Sequence, residues 1–339
     1  MPQAPSASVL HLHRAILALA PELAELPLPD EPLADCANCP LAGQPFHPTV
    51  RCCTYEPALP NFLVGRALAR DNTGAEKIRE RIAAGAGVGR LGIQPSAEWL
   101  AEYAQRRDTD FGRNPDWRCP YWVDGPLSCS IWPDRNTVCR SWHCKHSDGF
   151  RGHELWTRVR KLGAACERRL SGWCAEQLTP PKNPSVPGWE SYYRACAQQV
   201  EHATEAQLAA LADPQLQASR AELRQAWQQL TQPIPEVLGV EVRAVIERGD
   251  QVELVGYSPW NSARFPRSVF ALLAEFDGER PRDQAVQRAL ATNPEVQAHW
   301  VETLFEIRVL RPREADDAAP WGFGAPDLDP EELKQRFTR

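Results

Sequence analysis

Eight cysteines carry the chemistry that this sequence offers. Cys36 and Cys39 stand at a C-x2-C step, and after twelve further residues comes the adjacent pair Cys52-Cys53. A second set comprises Cys119, Cys129, Cys139 and Cys144. A C-x2-C step can place two sulfurs on one ion from a tight turn. Soft thiolates select zinc, copper(I) or iron–sulfur clusters over hard cations. Eight thiols exceed the demand of one mononuclear site. They suit two zinc ions, a cubane cluster with a second metal, or one multinuclear centre. His47, His143 and His146 are either further ligands or polar neighbours. Tyr55, just after the pair, is either a catalytic hydroxyl or a packing residue.

The chain holds eleven cysteines, all before residue 200. The odd count and the lack of a recognisable export signal argue against a disulfide framework and for a reducing, cytoplasmic setting. Cys166, Cys174 and Cys196 read as small core residues.

The second set has a rhythm. CPYW, CSIW and CRSW each put a Trp three residues after a Cys, and successive copies start ten residues apart (Cys119, Cys129, Cys139; Trp122, Trp132, Trp142). If residues 121–123 and 128–132 are strands around a three-residue loop 124–126, Cys119 faces Ile131 and Cys129 lies on the same face. A two-residue loop would put the sulfurs on opposite faces. Three steps along a strand reverse the side-chain direction, so the thiols would collect on one face and the indoles on the other. Cys139 and Cys144 lie about 140° apart around a helix, so that piece is expected to be a loop if both bind one centre.

At these residues the sequence resembles the YkgJ-like cysteine-cluster family, described as a zinc- or iron-chelating domain. The resemblance rests on Cys36, Cys39, Cys52-Cys53, Cys119-Pro120-Tyr121, Cys129-Ser130-Ile131-Trp132 and Cys139-Arg140-Ser141-Trp142. It covers about residues 36–146. Family members usually have fewer residues between the C-x2-C and the pair than the twelve here. The resemblance implies a bound metal, zinc or iron, with those cysteines as its ligands. Flagellin lysine methylases carry a similar cluster, but no acceptor or cofactor residue carries over from them. Residues 236–312 resemble PqqD-like or winged-helix modules, with a hairpin, then helices, and an L-x-x-x-D-G turn from Leu273 to Gly278. That implies binding of a peptide or protein partner, or of nucleic acid.

The elements that must position these groups follow from pattern. The chain has 339 residues, 43% apolar and 24% charged, with a net charge of −6. Such a composition is that of a soluble globular protein of about two domains. No apolar run approaches the ~18 residues of a membrane span, and the N-terminal stretch makes a poor signal peptide. Residues 9–25 predict an amphipathic helix. Residues 30–150, rich in Cys, Pro, Gly and Trp, predict short helices only near 63–69 and 96–105. The run GAGVGRLG (85–92) lacks the Lys-Ser/Thr ending of a phosphate loop and reads as a flexible loop. From residue 152, Leu155, Val159, Leu162, Cys166, Leu170 and Trp173 form an apolar stripe at helical spacing, and helices are expected at 189–211 and 214–230.

Residues 241–257 predict a hairpin, followed by helices at 267–276, 282–291 and 294–307 and a short strand. The fold class is therefore α+β. The expected parts are an N-terminal helix and tail (1–29), a cysteine-cluster metal-binding domain (30–150), a helical section (151–232), a winged-helix-like module (236–312) and an acidic tail (313–339). Residues 232–312 hold nine Arg, no Lys and twelve Asp plus Glu, a net charge of −3, which disfavours nucleic acid and favours a protein or peptide partner.

The functional expectation is a cytosolic metalloprotein with a thiolate-bound iron (iron–sulfur) or zinc centre, assisting redox chemistry or peptide and protein modification. The alternatives are a metal-dependent, methylase-like protein-modifying enzyme and an adaptor whose zinc is purely structural. No Ser/His/Asp set, nucleotide loop or paired carboxylates stands out as catalytic machinery.

Overall fold

In a computed structural model, the chain is a mixture of helices and short strands. The structure describes residues 12–31, 39, 46–124, 129–143, 146–182, 185–258 and 261–312. It forms two compact units, Met1–His143 with Leu155–Trp227, and Cys144–Glu154 with Gln228–Arg339.

The first unit is built on helices. The expected helix at 9–25 is two pieces, α1 (Arg14–Leu19) and α2 (Glu22–Glu25). Pro21 begins the second piece, since its ring fixes φ and it has no N–H to continue the first. Glu22 is buried and held by Arg220 and Arg224. Strand β1 (Leu59–Pro60) leads into α3 (Asn61–Ala69) and α4 (Thr73–Ala83). Sequence periodicity alone did not single out α4. Its signals are the Asn72 side chain, which caps Gly74 and Ala75, and the buried pair Ile78 and Ile82.

Residues 85–92 are not a flexible loop. Strands β2 (Val88–Gly89) and β3 (Gly92–Ile93) fold back as a tight hairpin, and β3 also pairs with β1. Tyr193 donates to the Gly89 carbonyl and Tyr192 to that of Arg90, which fixes the hairpin. Helix α5 (Ala97–Asp110) starts at the Ser96 cap, as the sequence predicts, and runs five residues further.

A one-turn helix, α6 (Thr137–Arg140), precedes the long α7 (Gly149–Gln177). All six stripe residues of α7 are buried. The single helix expected at 189–211 is two, α8 (Val186–Glu201) and α9 (Glu205–Ala209). The break is at Thr204, whose side chain and that of Gln207 form a reciprocal cap. Helix α10 (Pro214–Leu230) completes the unit.

The second unit contains two three-stranded antiparallel sheets. In one, β4 (Val237–Val240) lies between β8 (Asp277–Pro281) and β9 (Leu310–Arg311). In the other, the predicted hairpin β5 (Ala244–Arg248) and β6 (Gln251–Val255) turns at Gly249, whose φ is +70°, and β7 (Ala263–Pro266) adds to β6. Helices α11 (Val269–Leu273), α12 (Arg282–Thr292) and α13 (Trp300–Glu306) pack on the sheets. Leu238, Leu254, Val269, Leu272, Ala289, Leu304 and Leu310 are buried in one continuous core. Asp277-Gly278, expected as a turn between helices, begins a strand instead. The tail from residue 313 lies outside the described residues.

Candidate metal centre

Three separate segments carry five of the thiols. The first is the turn at residues 47–53. The His47 N–H bonds the Gly112 carbonyl at 2.7 Å, and His47 Nδ1 accepts the Thr49 N–H at 3.2 Å. Arg51 has φ +50°, an uncommon conformation for a non-glycine residue, and the chain then delivers Cys52 and Cys53. The next residue, Thr54, is fully buried, and its hydroxyl accepts the Gly112 N–H at 2.7 Å. His47 thus caps the turn that presents the pair, a role that sequence spacing could not distinguish from ligation.

The second segment carries Cys119 and Cys129. The Cys119 N–H bonds the Cys53 carbonyl at 2.9 Å, which joins the early pair to the later set. The Trp122 N–H bonds the Cys119 carbonyl at 2.9 Å, and the Trp132 N–H bonds that of Cys129 at 3.3 Å. The first two copies of the ten-residue repeat are therefore i to i+3 turns rather than strands. Among the described residues of this segment, a bridge pairs Trp122 with Cys129, one residue out of the register that a three-residue loop would give. In straight strands that shift would send the two sulfurs to opposite faces. Because residues 119–122 turn, strand parity does not apply to them.

Cys139 comes from α6. Asn136 caps this helix by accepting the Cys139 N–H at 3.1 Å, and its amide donates to the Ala58 carbonyl at 2.9 Å. Buried Glu167, on α7, accepts from both the N–H and the hydroxyl of Thr137, at 2.6 and 2.7 Å. Arg160 donates to the Ser141 carbonyl at 3.1 Å. These contacts fix Cys139 against the long helix.

The thiols of these segments act on one another's protonation. The adjacent Cys53 thiol, with burial, pushes the Cys52 pKa well up. Burial, then the charge of Cys139, raises Cys119. Burial pushes Cys139 up to about 12, with Arg135 opposing and Cys129, Glu167 and Cys52 adding. The Tyr121 N–H donates to the Cys119 sulfur. Cys52, Cys119 and Cys139 are thereby held as protonated thiols, so a metal that binds them must displace protons.

All five are half-buried, as is Cys39. Cys36 and Cys144 lie outside the described residues, so their places in the set are not seen. Among the described residues, no three Cys, His, Asp or Glu side chains already stand in position to hold one ion. The donor chemistry nevertheless fits a soft metal, and Cys52, Cys53, Cys119, Cys129 and Cys139 would supply its ligands.

The surroundings are aromatic. Tyr55, whose pKa is raised by burial and by Cys139, has its ring centre 5.9 Å from Trp99 and 5.5 Å from Tyr103 on α5. Trp99 and Tyr103 stack at 4.9 Å, and Trp117 lies 5.4 Å from Tyr103. The three repeat tryptophans do not form one wall. Trp122 is buried, Trp142 is half-buried against Phe111, and Trp132 is 36% exposed under the Arg135 guanidinium, 3.5 Å from its ring centre. His143 packs 4.3 Å from Trp156, and burial lowers its pKa to about 4, with Arg160 and Arg135 adding to the effect.

Cys166, Cys174 and Cys196 are fully buried on α7 and α8, as the stripe implies. Among the described residues, no helix is long and apolar enough to cross a membrane. No family model, curated protein or solved structure matches the chain.

Proposed function

We propose that the protein is a metalloprotein of a reducing, cytoplasmic compartment, with a thiolate-bound iron–sulfur or zinc centre. The observation that carries this reading is the bond from the Cys119 N–H to the Cys53 carbonyl at 2.9 Å, which ties the early cysteine pair to the later set across 66 residues of sequence. Cys36, Cys39 and Cys144 are proposed to complete the ligand set. When bound, an iron–sulfur cluster would supply one-electron chemistry, and zinc would supply a structural cross-link.

The second unit is proposed to be winged-helix-like and to bind a protein or peptide. Its support is that β5 is an edge strand with Ile246 37% exposed, so an extended segment can pair with it. Beside it, Arg264 pairs with Glu253 and Arg267 with Glu247.

The test is anaerobic purification followed by assay of iron, zinc and acid-labile sulfide. We expect bound metal in the wild type and its loss in Cys119→Ser and Cys139→Ser. Cys166→Ser, away from the set, should retain it. Folded wild-type protein that contains no metal and takes none up after reconstitution would reject the proposal.

A further inference from the structure

The second unit holds a second group of ligating side chains that the thiol centre does not use. His146, His153 and Tyr257 are 7%, 9% and 6% exposed. The two imidazole centres are 5.0 Å apart and nearly perpendicular, at 84°. The Tyr257 ring centre lies 5.3 Å from His153 and 6.4 Å from His146.

Packed rings ordinarily lie at such separations, and rings that share one ion do as well. A metal–nitrogen distance of about 2.0–2.1 Å and tetrahedral angles put two imidazole centres about 5 Å apart. The same angles put an imidazole and a phenolate about 6 Å apart, since the phenol oxygen stands out from its ring.

The backbone around the group is tightly held. The Asn261 side chain accepts the His146 N–H at 3.2 Å and donates to the His146 carbonyl at 3.1 Å. His153 lies on α7. Tyr257 follows β6, and its N–H bonds the Ile307 carbonyl at 3.1 Å. Gly256 permits that approach, because a Cβ there would run into the Ile307 carbonyl. Phe150, 5.4 Å from Tyr257 and covered by the Arg308 guanidinium at 4.0 Å, adds an apolar wall.

We propose that His146, His153 and Tyr257 bind one divalent transition-metal ion through nitrogen and oxygen. Two imidazoles and a phenolate suit zinc and its first-row neighbours, whereas the thiols of the other unit suit softer centres. The two sites differ in their donors.

The probe is cobalt(II), added anaerobically to the tag-free, full-length protein. Cobalt on thiolates gives intense sulfur charge-transfer absorption, and cobalt on nitrogen and oxygen does not. We expect a nitrogen/oxygen-type visible spectrum in addition to any thiolate signal. His153→Gln and Tyr257→Phe should each weaken that component at least about ten-fold. Cys139→Ser should leave it unchanged, which separates this site from the thiol centre. Tyr257→Phe retains the ring and its packing, so its metal-free melting temperature should match the wild type. Absence of the nitrogen/oxygen component, or its persistence at unchanged affinity in a folded Tyr257→Phe variant, would overturn the proposal.

Discussion

Glu167 shows how one residue couples the candidate centre to the scaffold. Its carboxyl is 3% exposed and positions α6, and hence Cys139, by accepting two hydrogen bonds from Thr137. Burial outweighs those bonds and raises its pKa from 4.5 to about 7. The folded state therefore retains a proton that the unfolded state has released across this interval. Stability from this group is full below about pH 4.5 and declines as the pH rises through about 7. Glu167→Gln keeps the acceptor oxygen but cannot ionise. Its stability relative to the wild type should improve by on the order of 3 kcal/mol between pH 4.5 and 8. Urea unfolding of metal-free protein at a series of pH values measures the difference, and parallel curves for the two proteins would show that the carboxyl does not titrate in this way. The sequence could not flag Glu167, because nothing local distinguishes it from a solvated glutamate on a helix. Its burial depends on the fold of α6 onto α7.

At the scale of elements, the long helices were legible because a wide apolar stripe leaves little choice of partner face. The stripe from Leu155 to Trp173 and the Ser96 cap both predicted what the structure contains. The cysteine-rich segment was legible in composition but not in geometry. Its C-x2-W copies fit a strand pattern equally well, and only the bonds from the Trp122 N–H to the Cys119 carbonyl and from the Trp132 N–H to that of Cys129 decide for turns. Contacts between helices are similarly hidden. Gly65, in the middle of α3, meets the backbone of α8, where a Cβ would lie 2.6 Å from the Tyr193 carbonyl carbon. Helix propensity alone favours alanine there by about 1 kcal/mol. Overpacking typically costs about 1–3 kcal/mol, and here the obstacle is backbone that a rotamer change cannot clear. The clash should win. Gly65→Ala is expected to lose about 2 kcal/mol or more, read as a lower denaturation midpoint with an unchanged slope. Equal or greater stability would mean that α3 and α8 are further apart than described.

At the scale of the whole molecule, the second unit has a core of its own. Every buried residue of that core, from Leu238 to Leu310, lies within residues 232–312, and both sheets close within the same span. The winged-helix-like expectation arose here from the hairpin and the helices after it, whereas β7 and β8 escaped notice. Those strands are short and interrupted by Pro266, Gly278 and Pro281, so they show little alternation. A fragment of residues 232–312 should therefore fold alone and unfold cooperatively. It lacks residues 146–153, which pack on Tyr257 in the full chain, so it should be less stable without losing its sheets. Nine arginines against twelve acidic residues give it a net charge of −3, and Arg248, Arg264 and Arg267 are engaged by Glu253 and Glu247. Few cations are left to replace counterions along a phosphate backbone, so affinity for duplex DNA should be weak and nearly independent of salt. Denaturant unfolding and a salt-series titration with duplex DNA check both expectations. A broad, non-cooperative transition would show that the core needs residues outside the fragment, and tight binding that collapses with salt would assign the unit to nucleic acid.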